Sequence, residues 1–119
     1  MKTTILTTVL LFVFSITIFG QAEIIYLKNP SFEGYPRPES VPEGWRDCGF
    51  SGESAPDTHP SGAFEVTNLP SDGETYLGMV VRDNDTWESV SQKLVSPLIG
   101  GQCYAVRLDL CRAKEYVSE

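Results

Sequence analysis

Between Tyr104 and Leu110 the apolar side chains Tyr104, Val106, Leu108 and Leu110 occupy every second position, with Ala105, Arg107, Asp109 and Cys111 on the alternate ones. A repeat of two turns one face of an extended chain toward a core and the other toward water, whereas a helix needs a repeat near 3.6. GGQCYAVRLDLCRA, Gly100 to Ala113, therefore reads as a half-buried β-strand launched from a turn at Gly100 and Gly101. SVSQKLVSPLI ahead of it reads as the previous strand and a loop bent at Pro97. A short link of this kind joins antiparallel neighbours. ETYLGMVV, Glu74 to Val81, is apolar on both parities, the pattern of a central strand covered on both faces. The expectation is a three-strand meander between Tyr76 and Ala113, onto which the rest of the chain packs.

The opening MKTTILTTVLLFVFSITIFGQA combines basic Lys2, an apolar run from Ile5 to Phe19, and the small residues Gly20 and Ala22. This is the pattern of a secretory signal peptide over residues 1–22, cleaved after Ala22. The run is short for a retained membrane anchor and no basic stop signal follows it, so no membrane span is expected after cleavage. The mature part, residues 23–119, has room for one small domain. Its localisation is then secreted or cell-surface. The formal charge of −7, without basic clusters, argues against nucleic acid as a partner.

The chain carries three cysteines, Cys48, Cys103 and Cys111. In an exported protein they are disulfide candidates. Cys103 and Cys111 sit on one extended strand, roughly 26 Å apart at ~3.3 Å per residue, too far to bond together. Cys48 with either of the other two remains open, as does a partner outside the sequence. A zinc site from these cysteines and His59 lacks the usual C-x-x-C pair.

From the mature end, EIIYLKN, Glu23 to Asn29, is rich in β-branched residues and closed by Pro30, so it reads as an edge strand. Phe32 in NPSFEG is a core plug. YPRPESVPEGW, with Pro36, Pro38 and Pro42, is an ordered surface excursion that ends by packing Trp45 against the sheet. Asp47 to Gly62 is a long turn-rich stretch, and GAFEVTN is a candidate strand. No segment of useful length has a helical repeat, and there is no internal repeat. The fold class is all-β.

NPSFEG, PEGW, ETYLGMVVRDNDTWESVSQKL and PLIGGQCYAVRLDLCRA, in that order, resemble the galactose-binding-like jelly-roll modules of secreted bacterial proteins. These are similar to family-4, family-9 and family-22 carbohydrate-binding modules, and the likeness covers nearly all of residues 25–115. It implies an antiparallel β-sandwich. Such a sandwich uses about eight strands, and only about five or six runs here qualify as strands. The chain is therefore expected to be the N-terminal part of the module, truncated on its C-terminal side. The likeness also implies a structural calcium ion to which Glu33, the acid of the FE pair, contributes; calcium takes several oxygen ligands.

RDNDTWES alternates Asp83, Asn84 and Asp85, but it lacks the glycine and the final glutamate of a calcium-binding EF-hand loop. It reads as a hairpin loop between strands ending at Val81 and starting near Trp87. As a ligand site, Trp87 stacks on a pyranose face while Asp83 and Asn84 bond its hydroxyls. Trp45, with Tyr35 and Phe50, is the second aromatic candidate. His59, the only histidine, reads as a surface residue. No G-x-S-x-G, H-E-x-x-H or P-loop sequence is present, and no nucleophile sits in an evident catalytic pattern. The expected role is non-catalytic: a carbohydrate- or ligand-binding module of a larger cell-surface or secreted protein, its partner an extracellular glycan. The alternative is a structural or adhesion spacer that contacts a surface protein and has no sugar site. Solvent-exposed tryptophans favour the first, buried ones the second.

Overall fold

The computed structural model describes residues 24–117. The signal peptide expected over residues 1–22 lies outside them. In chain order the elements are β1 (Arg46–Asp47), β2 (Asp57–His59), a 3-10 turn (Ala63–Glu65), β3 (Tyr76–Gly78) and β4 (Val90–Ser91). The all-β expectation holds, as two small antiparallel two-stranded sheets. Among the described residues no helix is long and apolar enough to cross a membrane.

Strand β2 is the centre of the larger sheet. It pairs with β3, placing Asp57 opposite Gly78, Thr58 opposite Leu77 and His59 opposite Tyr76. On its other side Arg37 exchanges both backbone hydrogen bonds with Thr58, at 2.9 and 3.0 Å. The contact stops at that single bridge because the next hydrogen-bonding positions along β2 fall at Pro56 and Pro60, and neither has an N–H to donate. In the second sheet β1 pairs with β4, Arg46 facing Ser91 and Asp47 facing Val90.

The hairpin expected between Val81 and Trp87 is formed, with those two residues in an antiparallel bridge. Arg82 N donates to Thr86 O at 2.9 Å and Glu88 N to Val80 O at 3.0 Å. Asn84 closes the turn by accepting from Thr86 N and Oγ1 at 3.2 and 2.6 Å, and Asp85 takes a left-handed φ of 61°.

The meander is not formed. Strand β3 takes β2 as its partner, and the stretch from Gly100 to Ala113 makes no ladder. Val106 is 80% and Leu110 84% exposed, so the alternating face meets water rather than a core. The segment is held at its ends, where Ile99 N donates to the Tyr104 hydroxyl and Asn68 reaches Cys111 Sγ and Arg112 O. Beyond it Tyr116 stacks on Phe64, and Val117 N donates to Phe64 O. Alternation encodes extension, but the partner must come from elsewhere. Glu74 to Val81 is likewise strand only at Tyr76–Gly78, with Met79 and Val81 exposed instead of covered. The stretch expected as a strand at GAFEVTN is a turn, with positive φ of 57° at both Phe64 and Glu65.

The expected N-terminal edge strand also lacks a ladder, because a side chain takes the place of a partner strand. The Gln92 amide accepts from Lys28 N at 2.7 Å and donates to Lys28 O at 2.8 Å. Among the described residues Val66 is the one buried large hydrophobic, while Asp57, Thr58, His59, Thr75 and Glu88 are buried polar groups. Hydrogen-bonded polar side chains thus do much of the work that an apolar core performs elsewhere.

Candidate functional site

The closing pair of the hairpin carries Trp87 to the surface, where it remains 50% exposed. Phe50, also exposed, meets it edge to face with ring centroids 4.8 Å apart and an interplanar angle of 85°. Contact between these rings steadies the indole while half of its surface stays open to solvent. The turn that carries Phe50 also carries Glu53, whose N–H donates to Phe50 O at 3.2 Å. Glu53 Oε1 accepts from Asn84 Nδ2 at 3.0 Å, and Oε2 lies 3.4 Å from Arg82 Nε. An aromatic pair and a polar network therefore share two loops far apart in sequence. Asp83 is exposed on the same hairpin.

Beneath them Glu88 is buried. Its Oε1 accepts from Arg82 Nη2 at 2.6 Å and from Ser54 Oγ at 3.0 Å, and its Oε2 accepts from Val80 N at 3.1 Å. Burial pushes the Glu88 carboxyl above the ordinary glutamate range, outweighing the opposing pull of Ser54, the Val80 amide and Arg82. Arg82 Nη2 also donates to Ser54 Oγ at 2.6 Å, while Nη1 is buried without a partner. This network fixes the base of the hairpin and hence the position of Trp87.

Trp45 belongs to a different contact set. Its Nε1 donates to Asn29 O at 2.9 Å and its ring packs 4.8 Å from Phe32, so it is half-buried as a plug. The structure thus groups Trp87, Asp83 and Asn84 on one hairpin and leaves Trp45 outside it. Phe50, Glu53, Arg82 and Glu88 complete the group. Periodicity could not link the first two to the hairpin, since turn-rich loops carry no repeat.

Glu33 joins the N-terminal loop to the start of β3. Its Oε1 accepts from Glu74 N at 3.0 Å and Thr75 N at 3.5 Å, and Oε2 lies 3.4 Å from Thr75 Oγ1. Asn29 braces the same loop, accepting from Glu33 N at 2.8 Å and donating to the carbonyls of Glu33 and Glu43 at 2.7 and 3.0 Å. Gly73 passes so close that a Cβ there would lie 1.8 Å from Glu33 Oε1. Ser31 donates to the Asp72 carboxylate beside it. Glu33 also borders a surface hollow of about 430 Å³ shared with Tyr35, Arg37 and Glu43. A calcium ligand must offer its oxygens to the cation with other oxygens around it. The Glu33 carboxylate is instead turned toward N–H and O–H donors, an arrangement that suits an acceptor and does not fit the calcium role.

His59 is 2% exposed rather than on the surface. Its ring stacks on Tyr76, the cross-strand neighbour, at 5.4 Å and 26°. Gly78 makes room for it, since a Cβ there would stand 2.5 Å from His59 Cδ2. Burial lowers the imidazole pKa, with Asp57 pulling the other way. Nδ1 faces Ser61 Oγ at 3.1 Å, and Nε2 lies 3.6 Å from Asp57 Oδ2. The same residue types serve nucleophilic catalysis in hydrolases. Here Ser61 Oγ is held in its own turn, accepting from Ala63 N at 3.3 Å, so the observed geometry makes the trio a pin between β2 and the following turn.

Cys48, Cys103 and Cys111 are free and exposed. Cys48 Sγ donates to Ser89 Oγ at 3.5 Å, and Cys111 Sγ accepts from Asn68 Nδ2 at 3.3 Å. Among the described residues no cluster of three or more His, Cys, Asp and Glu side chains could hold a metal ion. The chain matches no family model, no curated protein and no solved structure.

Proposed function

We propose that the chain is an exported, non-catalytic carbohydrate-binding module of a larger cell-surface or secreted protein, built on a galactose-binding-like jelly-roll plan. The observation that carries this reading is the half-exposed Trp87, held edge-on by Phe50 beside the Glu53–Asn84 hydrogen bond. A sugar ring presents an apolar C–H face to an indole and hydroxyls at its rim, and a site of this type needs an aromatic plate with acceptors and donors around it. Trp87 is the plate. Asp83 and Asn84 are the polar groups that bond the hydroxyls, with Glu53 joining them, and Trp45 acts only by stiffening the scaffold. The partner is a neutral extracellular glycan, because the acidic surface disfavours an anionic one. Recognition needs no calcium in this site, and Glu33 serves the N-terminal loop as an acceptor for the Glu74 and Thr75 amides.

The test is a glycan array read with the purified chain, with Trp87→Ala and Phe50→Ala as controls, followed by chromatography of the bound glycan. Binding to a neutral glycan that both substitutions weaken, with the glycan recovered intact, is the expected result. Binding that survives Trp87→Ala overturns the site, and released fragments overturn the non-catalytic role. The spacer alternative draws on the exposed residues Val106, Leu108 and Leu110. It predicts no glycan on the array and association with a protein instead.

A further inference from the structure

The stretch from Ala105 to Cys111 is self-complementary when read against its own reverse. Centred on Leu108, Val106 meets Leu110, Arg107 meets Asp109 and Ala105 meets Cys111. In antiparallel pairing the sum of the two residue numbers is constant, so two copies meeting at this centre bring every apolar residue opposite an apolar one. Each Arg107 then stands opposite an Asp109, and each Tyr104 opposite an Arg112, a favourable cation–π pairing. Moving the centre to Arg107 would set two arginines against each other, which disfavours that register.

The structure leaves this segment available. The stretch carries no ladder, and Tyr104, Val106, Leu108 and Leu110 are all exposed. Among the described residues Arg107 forms an ion pair with Asp109 alone, at 3.9 Å between two exposed side chains, a weak contact that a cross-strand partner can replace. We propose that residues 104–112 form an antiparallel β-ribbon with the same residues of a second copy of this chain, about a two-fold axis at Leu108. Nine residues at ~3.3 Å each give a contact roughly 30 Å long. One ribbon of that length is a narrow contact beside the roughly 1,000 Å² in total that a stable specific interface clears. The dimer is therefore weak and concentration-dependent. Its apolar side chains interlock across the axis, and the charges select the register.

Sedimentation velocity of the purified chain, from about 5 to 500 μM, tests the proposal. The expected result is a dimer that dissociates on dilution. Arg107→Asp sets like charges opposite each other twice and should weaken it at least tenfold. The swap Arg107→Asp with Asp109→Arg should restore it, which non-specific apolar association would not do. In a chain with the three native cysteines changed to serine, Leu108→Cys should cross-link under copper-phenanthroline oxidation, and Arg107→Cys should not. A chain that stays monomeric at 500 μM, or a dimer indifferent to Arg107→Asp, overturns the proposal. So does a Cys103–Cys111 disulfide between native copies, the mark of the competing register centred on Arg107.

Discussion

Removing the Glu88 carboxylate tests whether buried hydrogen bonds hold this chain together. Glu88→Ala leaves Arg82 Nη2, Ser54 Oγ and Val80 N without the acceptor they share. Deleting one partner of a buried ion pair costs about 3–5 kcal/mol, because the other is left desolvated. Domains of this size are stable by only about 5–15 kcal/mol, and one with so little apolar burial belongs at the low end. With a urea slope of about 1.5 kcal/mol per molar, a loss of about 3 kcal/mol moves the midpoint down by about 2 M. Glu88→Gln keeps an acceptor and avoids burying a charge, so it should cost only about 1–2 kcal/mol. The pH dependence has a definite sign. Burial raises the Glu88 pKa above 4.5, so the folded state holds this proton more tightly than the unfolded chain. The contribution is full below pH 4.5 and declines as the pH rises through the raised value, and the Glu88→Ala penalty should therefore be larger in acid than at neutrality. The assay is urea unfolding followed by tryptophan fluorescence, with an Arg82→Ala, Glu88→Ala double-mutant cycle at pH 7. A Glu88→Ala change below about 0.5 kcal/mol, or no coupling to Arg82, refutes the reasoning, since the pair would then behave as a surface contact.

Gly78→Ala places a methyl group 2.5 Å from His59 Cδ2, and the overpacking should cost about 1–3 kcal/mol, read as a lower thermal midpoint. Gly73→Ala combines a φ of +71° with a Cβ 1.8 Å from Glu33 Oε1. Its cost should shrink to the backbone part, about 1 kcal/mol, when Glu33 is also alanine, and an unchanged cost would show that the two do not touch. Burial lowers the His59 pKa below 6.5, so the unfolded chain takes up the proton first. That stability is complete above about pH 6.5 and falls by up to ~1.4 kcal/mol per unit as the pH drops toward the lowered value. His59→Gln should flatten this limb of the urea-midpoint profile, and a limb that persists in the variant assigns it to another group.

What could be read from the sequence follows from the range of the signals involved. The hairpin around Asn84 was legible because turn chemistry is local: Asn84 bonds its own neighbours whatever lies beyond. The half-buried plug at Trp45 was legible for the same reason, as prolines end the excursion just ahead of it. Strand β2 was not, since Asp-Thr-His is polar at every position and a buried polar strand leaves no hydrophobic period. The burial of His59 leaves no local signal, because it depends on Gly78, a residue it meets through the β2–β3 register. The alternation of Tyr104 to Leu110 encodes a strand-like face but carries no information about which edge lies alongside, and no strand forms there. In the candidate site, Trp87, Asp83 and Asn84 share one loop and were found together. Phe50 and Glu53 come from a second loop that no periodicity ties to the first.

A two-fold ribbon and an aromatic platform on one chain have a joint consequence for binding. If both readings hold, each dimer carries two Trp87 platforms, and a surface dense in glycan can engage them together. The second encounter then occurs at an effective concentration of about millimolar, so avidity can exceed single-site affinity by about 10²-fold with no new contact to sugar. Arg107→Asp separates the two effects, because it acts on the ribbon and leaves the Phe50–Trp87 pair intact. On sparsely immobilised glycan the native chain and Arg107→Asp should bind alike. On dense glycan the native chain should be retained at least tenfold longer, and the charge-swapped double variant should regain that retention. Equal retention on dense glycan, with Arg107→Asp monomeric by sedimentation, would mean that the platforms of a dimer do not face one surface, and the ribbon would then have no part in glycan recognition.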